Sequence, residues 1–112
     1  MATSTIKKIK TDDVEMTTTV TGYGYTISCL KRGSIGQVAI YSGTASSNIS
    51  GGATIATLPE GFRPKFQQML PVAVGSSLGR LNIIPDGIIN CTIQIPSGTS
   101  LRFSAVILIK EE

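Results

Sequence analysis

The sequence predicts an all-β domain of seven or eight short antiparallel strands, arranged as a sandwich, a jelly roll or a small barrel. Three observations lead there. Apolar residues recur with period two along most of the chain, turn residues interrupt the alternating runs at short intervals, and no segment carries a capped helical stripe. With 112 residues and 41% apolar content, the chain is long enough for one domain with a modest core.

The first run places Val14, Met16, Thr18 and Val20 on one face and Glu15, Thr17 and Thr19 on the other. Its threonines favour strand over helix. The stretch "GYGYTISCLKR" continues with Tyr25, Ile27 and Cys29 on one side, and Ile35 to Tyr41 forms the next strand between the stops Gly33 and Gly43. "SGTASSNISGGA" is small, polar and glycine-rich, and reads as a surface loop of roughly ten residues, a length at which loops often carry function. Thr54 to Leu58 is a short strand running into "TLPEGFRP", Thr57 to Pro64, a stiff corner of two prolines and a glycine around Arg63.

Phe66 to Val74 is a further strand, in which Pro71 cannot donate to a ladder and so predicts an edge or a bulge. In "RLNIIPDGIINCTIQIPSG" two alternating runs flank Pro85-Asp86-Gly87, the signature of a hairpin built on a type I turn closed by a left-handed glycine. Pro96-Ser97-Gly98 makes the next turn. The last strand, Leu101 to Ile109, alternates at first, but Val106 to Ile109 is apolar on both faces, as in a strand that is covered twice.

Charge narrows the function. The net charge of +3 comes from Lys7, Lys8 and Lys10, and from Thr11 onward basic and acidic residues balance. Without a basic face the phosphate attraction behind nucleic-acid binding is missing, so no nucleic-acid partner is expected. Residues 1–13 read as a solvated arm or linker and residues 14–112 as the head domain. Charged residues make up only 15%, which suits either a subunit interface or outer faces rich in hydroxyls. No apolar run reaches the ~18 residues of a membrane span and no signal peptide is apparent, so neither membrane insertion nor export is expected. Cys29 and Cys91 are then expected as reduced, buried thiols, and the sequons at Asn48 and Asn90 as chance matches.

Catalytic machinery is not visible. The absence of histidine removes the usual general base and the commonest transition-metal ligand. Gly75-Ser76-Ser77-Leu78-Gly79 matches the nucleophile-elbow spacing, but it lies between two β runs and reads as a tight loop. Gly22-Tyr23-Gly24 is a fragment of a dinucleotide fingerprint without its helix. Two cysteines do not close a zinc site, and Asp12, Asp13 and Glu15 lack the glycine and later ligands of a calcium loop. Glu60 and Asp86 fall in turns. The expectation is a protein with no catalytic residues, metal or cofactor. Tyr23, Tyr25 and Tyr41 remain as amphipathic groups, and Arg63 as a donor fork held by its corner.

"GGATIATLPEGFRPKFQQMLPVAV", followed by "GRLNIIPDGIINCTIQIPSGTSLRFSAVIL", resembles the C-terminal head domains of tailed-phage baseplate and tail-fibre proteins. The shared pattern is the corner Leu58 to Pro64, the apolar strand Met69 to Val74, Leu81 to Ile83, the Asp86-Gly87 turn, and Gly98 to Phe103. The resemblance implies a homotrimeric antiparallel β-sandwich or jelly-roll-like head at the tip of a virion appendage, made in the bacterial cytoplasm. It implies a host-attachment module that binds cell-surface saccharide and docks other tail or baseplate proteins. A structural adaptor that touches no glycan is the alternative. Within this frame Tyr41 and Arg63 are the candidate ligand-binding residues, and Ile107 and Leu108 the candidate interface residues.

Overall fold

A computed structural model describes residues 15–41 and 43–110. The arm expected over residues 1–13, with Asp12 and Asp13, and the start of the first run at Val14 lie outside the described residues. The described residues are all-β and sandwich-like, with eight strands: β1 (Glu15–Gly22), β2 (Tyr25–Arg32), β3 (Ile35–Ile40), β4 (Thr54–Thr57), β5 (Gln68–Val74), β6 (Ser77–Ile83), β7 (Ile88–Cys91) and β8 (Phe103–Leu108). They form two antiparallel four-stranded sheets, ordered β1-β2-β3-β8 and β4-β7-β6-β5.

Short loops fix the register. Tyr23 and Gly24 join β1 to β2 with φ of 53° and 90°, and positive φ at both central positions is the type I′ hairpin, whose twist matches that of the strands. Thus Gly22-Tyr23-Gly24 is a turn. Gly75-Ser76 joins β5 to β6 in another two-residue loop, which places Ser77 in a strand and not at a strand-to-helix elbow. The Pro85-Asp86-Gly87 turn forms as the sequence predicts, with the Gly87 N–H donating to Ile84 O at 2.7 Å and Gly87 at φ 91°.

The core is the space between the sheets. From β2 it receives Tyr25, Ile27 and Cys29, from β6 Leu81 and Ile83, and from β7 Ile89 and Cys91. Both cysteines are free and buried. At one side of the sandwich a bulge in β4 turns the Ile55 carbonyl onto the Cα of Gly22, where any Cβ would collide with it. Glycine is therefore what lets β1 approach β4. Pro71 sits on β5, an edge strand, as its missing donor requires.

Two segments depart from the sequence reading. The glycine-serine stretch is no free surface loop: Ala45 and Ile49 are buried, and Ile49 exchanges N–H and carbonyl with Ile95 at 2.8 Å in both directions. The Ala45 N–H donates to Thr99 O, the Gly98 N–H to Ala45 O, and Ser97 N–H to Asn48 Oδ1. Two apolar side chains spaced four apart, with their backbone groups paired, pin it to the connection before β8. The second departure is at the end of β8. Ile107 and Ile109 point into the protomer's own core, while Val106 and Leu108 point out. Among the described residues nothing covers that outer face.

Candidate functional site

The outer face of the first sheet is built by cross-strand rows. Antiparallel register places Thr19 opposite Ser28, Ser28 opposite Ala39, and Ala39 opposite Ser104. All four are small. The next row, one pleat repeat away, runs Thr17, Leu30, Gln37 and Val106. Beyond it lie Ile35 and Leu108, directly opposite each other. At the other end Tyr41 follows β3 on the same face, two residues past Ala39, with its side chain 61% exposed.

A row of small side chains between rows of larger ones leaves a trough. Its volume is about 510 Å³, and it crosses β1, β2 and β3, lined by Thr17, Thr19, Ser28, Leu30, Gln37 and Tyr41 over a floor that includes Ala39. None of the residues lining it is charged. Ala39 itself is almost inaccessible, so the floor is closed. The Gln37 amide is held in place, its Nε2 donating to Ser104 Oγ at 2.7 Å. The trough therefore offers hydroxyls, one oriented amide and one aromatic face, all uncharged.

The two residues predicted to bind ligand are not brought together. Tyr41 follows Ile40, which pairs with Phe103 at the start of β8, whereas Arg63 O accepts from the Lys110 N–H beyond its end. At about 3.3 Å per residue this separates them by roughly 20 Å. Arg63 has a different occupation. Its Nε donates to Leu58 O at 2.9 Å, and its side chain lies across Gly87, where an added Cβ would sit 2.8 Å from Nε. The Leu58 N–H in turn donates to Gly87 O at 2.8 Å. Arg63 thus ties the Leu58–Pro64 corner to the β6–β7 turn. The corner is fastened on its other side as well, the Lys65 N–H donating to Leu108 O at 2.7 Å.

The two interface candidates also separate. Ile107 is 2% exposed and belongs to the core, whereas Leu108 is 45% exposed and Val106 68%. With Ile35 they make an apolar patch on β3 and β8, bordered by Arg32, at the end of the face opposite Tyr41. On the second sheet a depression of about 590 Å³ lies beside Met69, Pro71, Leu78 and Arg80, and its polar side chains are Arg80 and Thr92, whose hydroxyl accepts from the Arg80 N–H at 3.1 Å.

The polar side chains of the sequons are committed within the fold, Asn90 Oδ1 accepting from Asn82 Nδ2 and Asn48 Oδ1 from Ser97. Among the described residues there is no cluster of metal-ligating side chains, and no helix is long and apolar enough to cross a membrane. Tyr25 is buried and donates to Thr99 O at 2.7 Å, so it is a core residue.

Thr17, Thr19, Ser28 and Gln37 were not singled out by the sequence. Their signal was available: two-residue loops at Tyr23-Gly24 and Gly33-Ser34 fix the register of three strands and put all four residues on one face. No protein-family profile and no curated protein matches the chain.

Proposed function

We propose that the chain is the head of a phage tail or baseplate protein that attaches non-catalytically to cell-surface saccharide, acting as a homotrimer. The observation that carries this reading is the uncharged, hydroxyl-lined trough flanked by Tyr41. An aromatic face with surrounding hydroxyl and amide groups is the usual complement of a sugar, whose ring is apolar on its faces and polar at its rim. The resemblance of the last sixty or so residues to phage heads supplies the biological setting. Low affinity at one trough is offset by three-fold repetition through effective concentration. The jelly-roll form of the sandwich is the finer architectural expectation; β4-β7-β6-β5 has the strand order of one Greek key, and β1-β2-β3 is a meander.

A second reading rests on a different observation. The apolar end of the same face, Ile35, Val106 and Leu108, is suited to a protein neighbour, which favours an adaptor that holds other virion subunits. Both readings are non-enzymatic, and the experiment that separates them is direct. Purified protein is incubated with bacterial envelopes and with tail proteins from the same virion. Envelope binding lost in Tyr41→Ala supports attachment; binding to tail proteins alone, abolished by Leu108→Asp, supports the adaptor.

A further inference from the structure

We infer that the trough on the first sheet selects uncharged glycan and rejects saccharides bearing phosphate or carboxylate. This deepens the attachment reading and rests on it. Among the described residues no lysine, arginine, aspartate or glutamate lines it, and no helix N-terminus is aimed into it, since those residues contain no helix. An anionic group seated there would lose hydration with no counter-charge to replace it, and such burial is costly without a partner. A neutral hydroxyl loses far less and regains it from the walls.

The walls have the matching chemistry. Thr17, Thr19 and Ser28 each carry a hydroxyl that both donates and accepts, so they accommodate either sense of a sugar hydroxyl's bond. The Gln37 side chain, which lines the trough, spends an N–H on Ser104, which orients its amide and leaves the carbonyl oxygen as an acceptor. Tyr41 closes the end with an exposed ring. The cations of this face stand outside the trough. Arg32 lies in the row of Ile35 and Leu108, next to the Leu30 row, and Arg102, which precedes Phe103 and so is next in register to Tyr41, borders the trough without lining it.

The trough crosses two inter-strand gaps of about 4.8 Å, or roughly 10 Å, so its occupant is a short run of linked rings. Charge is therefore the feature on which it discriminates, and the identity of individual sugars is set by finer contacts.

The test is saturation-transfer NMR and calorimetry on the intact chain with two probe sets of matched length: neutral hexose and N-acetylhexosamine oligosaccharides, and anionic ones carrying uronate or glycerol phosphate. The expected result is binding of at least one neutral probe, weakened tenfold or more in Tyr41→Ala and in Thr19→Val. It should be unchanged in Leu78→Ala, which alters an exposed residue of the second sheet, and insensitive to salt. All variants must keep the wild-type melting temperature. Thr19→Lys offers a second check, since it should lose the neutral probe and gain an anionic one. Salt-sensitive binding of anionic probes by the wild type, lost in Tyr41→Ala, overturns the inference while leaving attachment intact. Binding of neither set overturns the inference, and binding to whole envelopes in that same preparation decides whether attachment falls with it. Neutral binding that survives both trough variants also overturns it, because the site then lies elsewhere.

Discussion

Single atoms decide how closely the Leu58–Pro64 corner packs on the β6–β7 turn. Gly87 has φ 91° and no room for a side chain, since a Cβ would lie 2.7 Å from Leu58 O and 2.8 Å from Arg63 Nε. Gly87→Ala should therefore cost about 2 kcal/mol or more, combining left-handed strain with displacement of Arg63. Arg63→Ala should cost about 1 to 3 kcal/mol by leaving Leu58 O without its donor, a loss readable as a lowered denaturation midpoint. Its effect on ligand binding should follow stability and not exceed it. Cys29 sets a pH limit. Burial raises its thiol from 9.0 to about 11, and burial, then the neighbouring Cys91, also raises Tyr25. Between those values the unfolded chain has lost the Cys29 proton while the folded chain retains it. Stability is therefore full below about pH 9 and falls by about 2 to 3 kcal/mol as pH rises toward 11. Urea midpoints at pH 8 and pH 10.5 should show that fall, and Cys29→Ala should reduce it.

Elements were legible where the alternation was strict and the turn chemistry explicit. The β6–β7 hairpin could be read from Pro85-Asp86-Gly87, and the choice of edge or bulge for β5 from Pro71, of which the sheet order shows the edge, because each follows from one residue's backbone restriction. The segment from Gly43 to Ala53 was not, because its two buried residues, Ala45 and Ile49, stand in a run of small polar residues without continuous alternation and its partners, Ile95 and Thr99, lie about fifty residues away. Ile49→Ala should consequently destabilise the domain by about 2 to 4 kcal/mol, a core effect in what reads as a polar loop. In β8 the double apolar character was visible from sequence, but which residues face which way depends on its pairing with β3. That pairing predicts opposite outcomes for neighbours. Ile107→Asp buries an unpaired charge and should unfold the protomer, while Leu108→Asp should leave circular dichroism and melting of the protomer intact and abolish self-association in light scattering. A monomeric wild type would remove the trimer from the proposed function.

At the scale of the whole molecule, one sheet face carries a gradient from apolar Ile35, Val106 and Leu108, through a row of small side chains, to Tyr41. The inner faces hold the core, so assembly and ligand binding are left the outer faces, and the proposed function uses this one. Tyr41 was legible as a candidate because an amphipathic residue ended a strand. The trough beside it was not, because it exists only when Thr19, Ser28 and Ala39 are aligned across three strands. The central claim is that this face attaches the protein to an uncharged glycan through Tyr41. The most direct measurement is the binding isotherm of the purified protein on bacterial envelopes, with Tyr41→Ala compared against wild type and against Leu78→Ala at equal melting temperature. The account predicts at least a tenfold weakening for Tyr41→Ala and none for Leu78→Ala. Superimposable isotherms for all three proteins would contradict it.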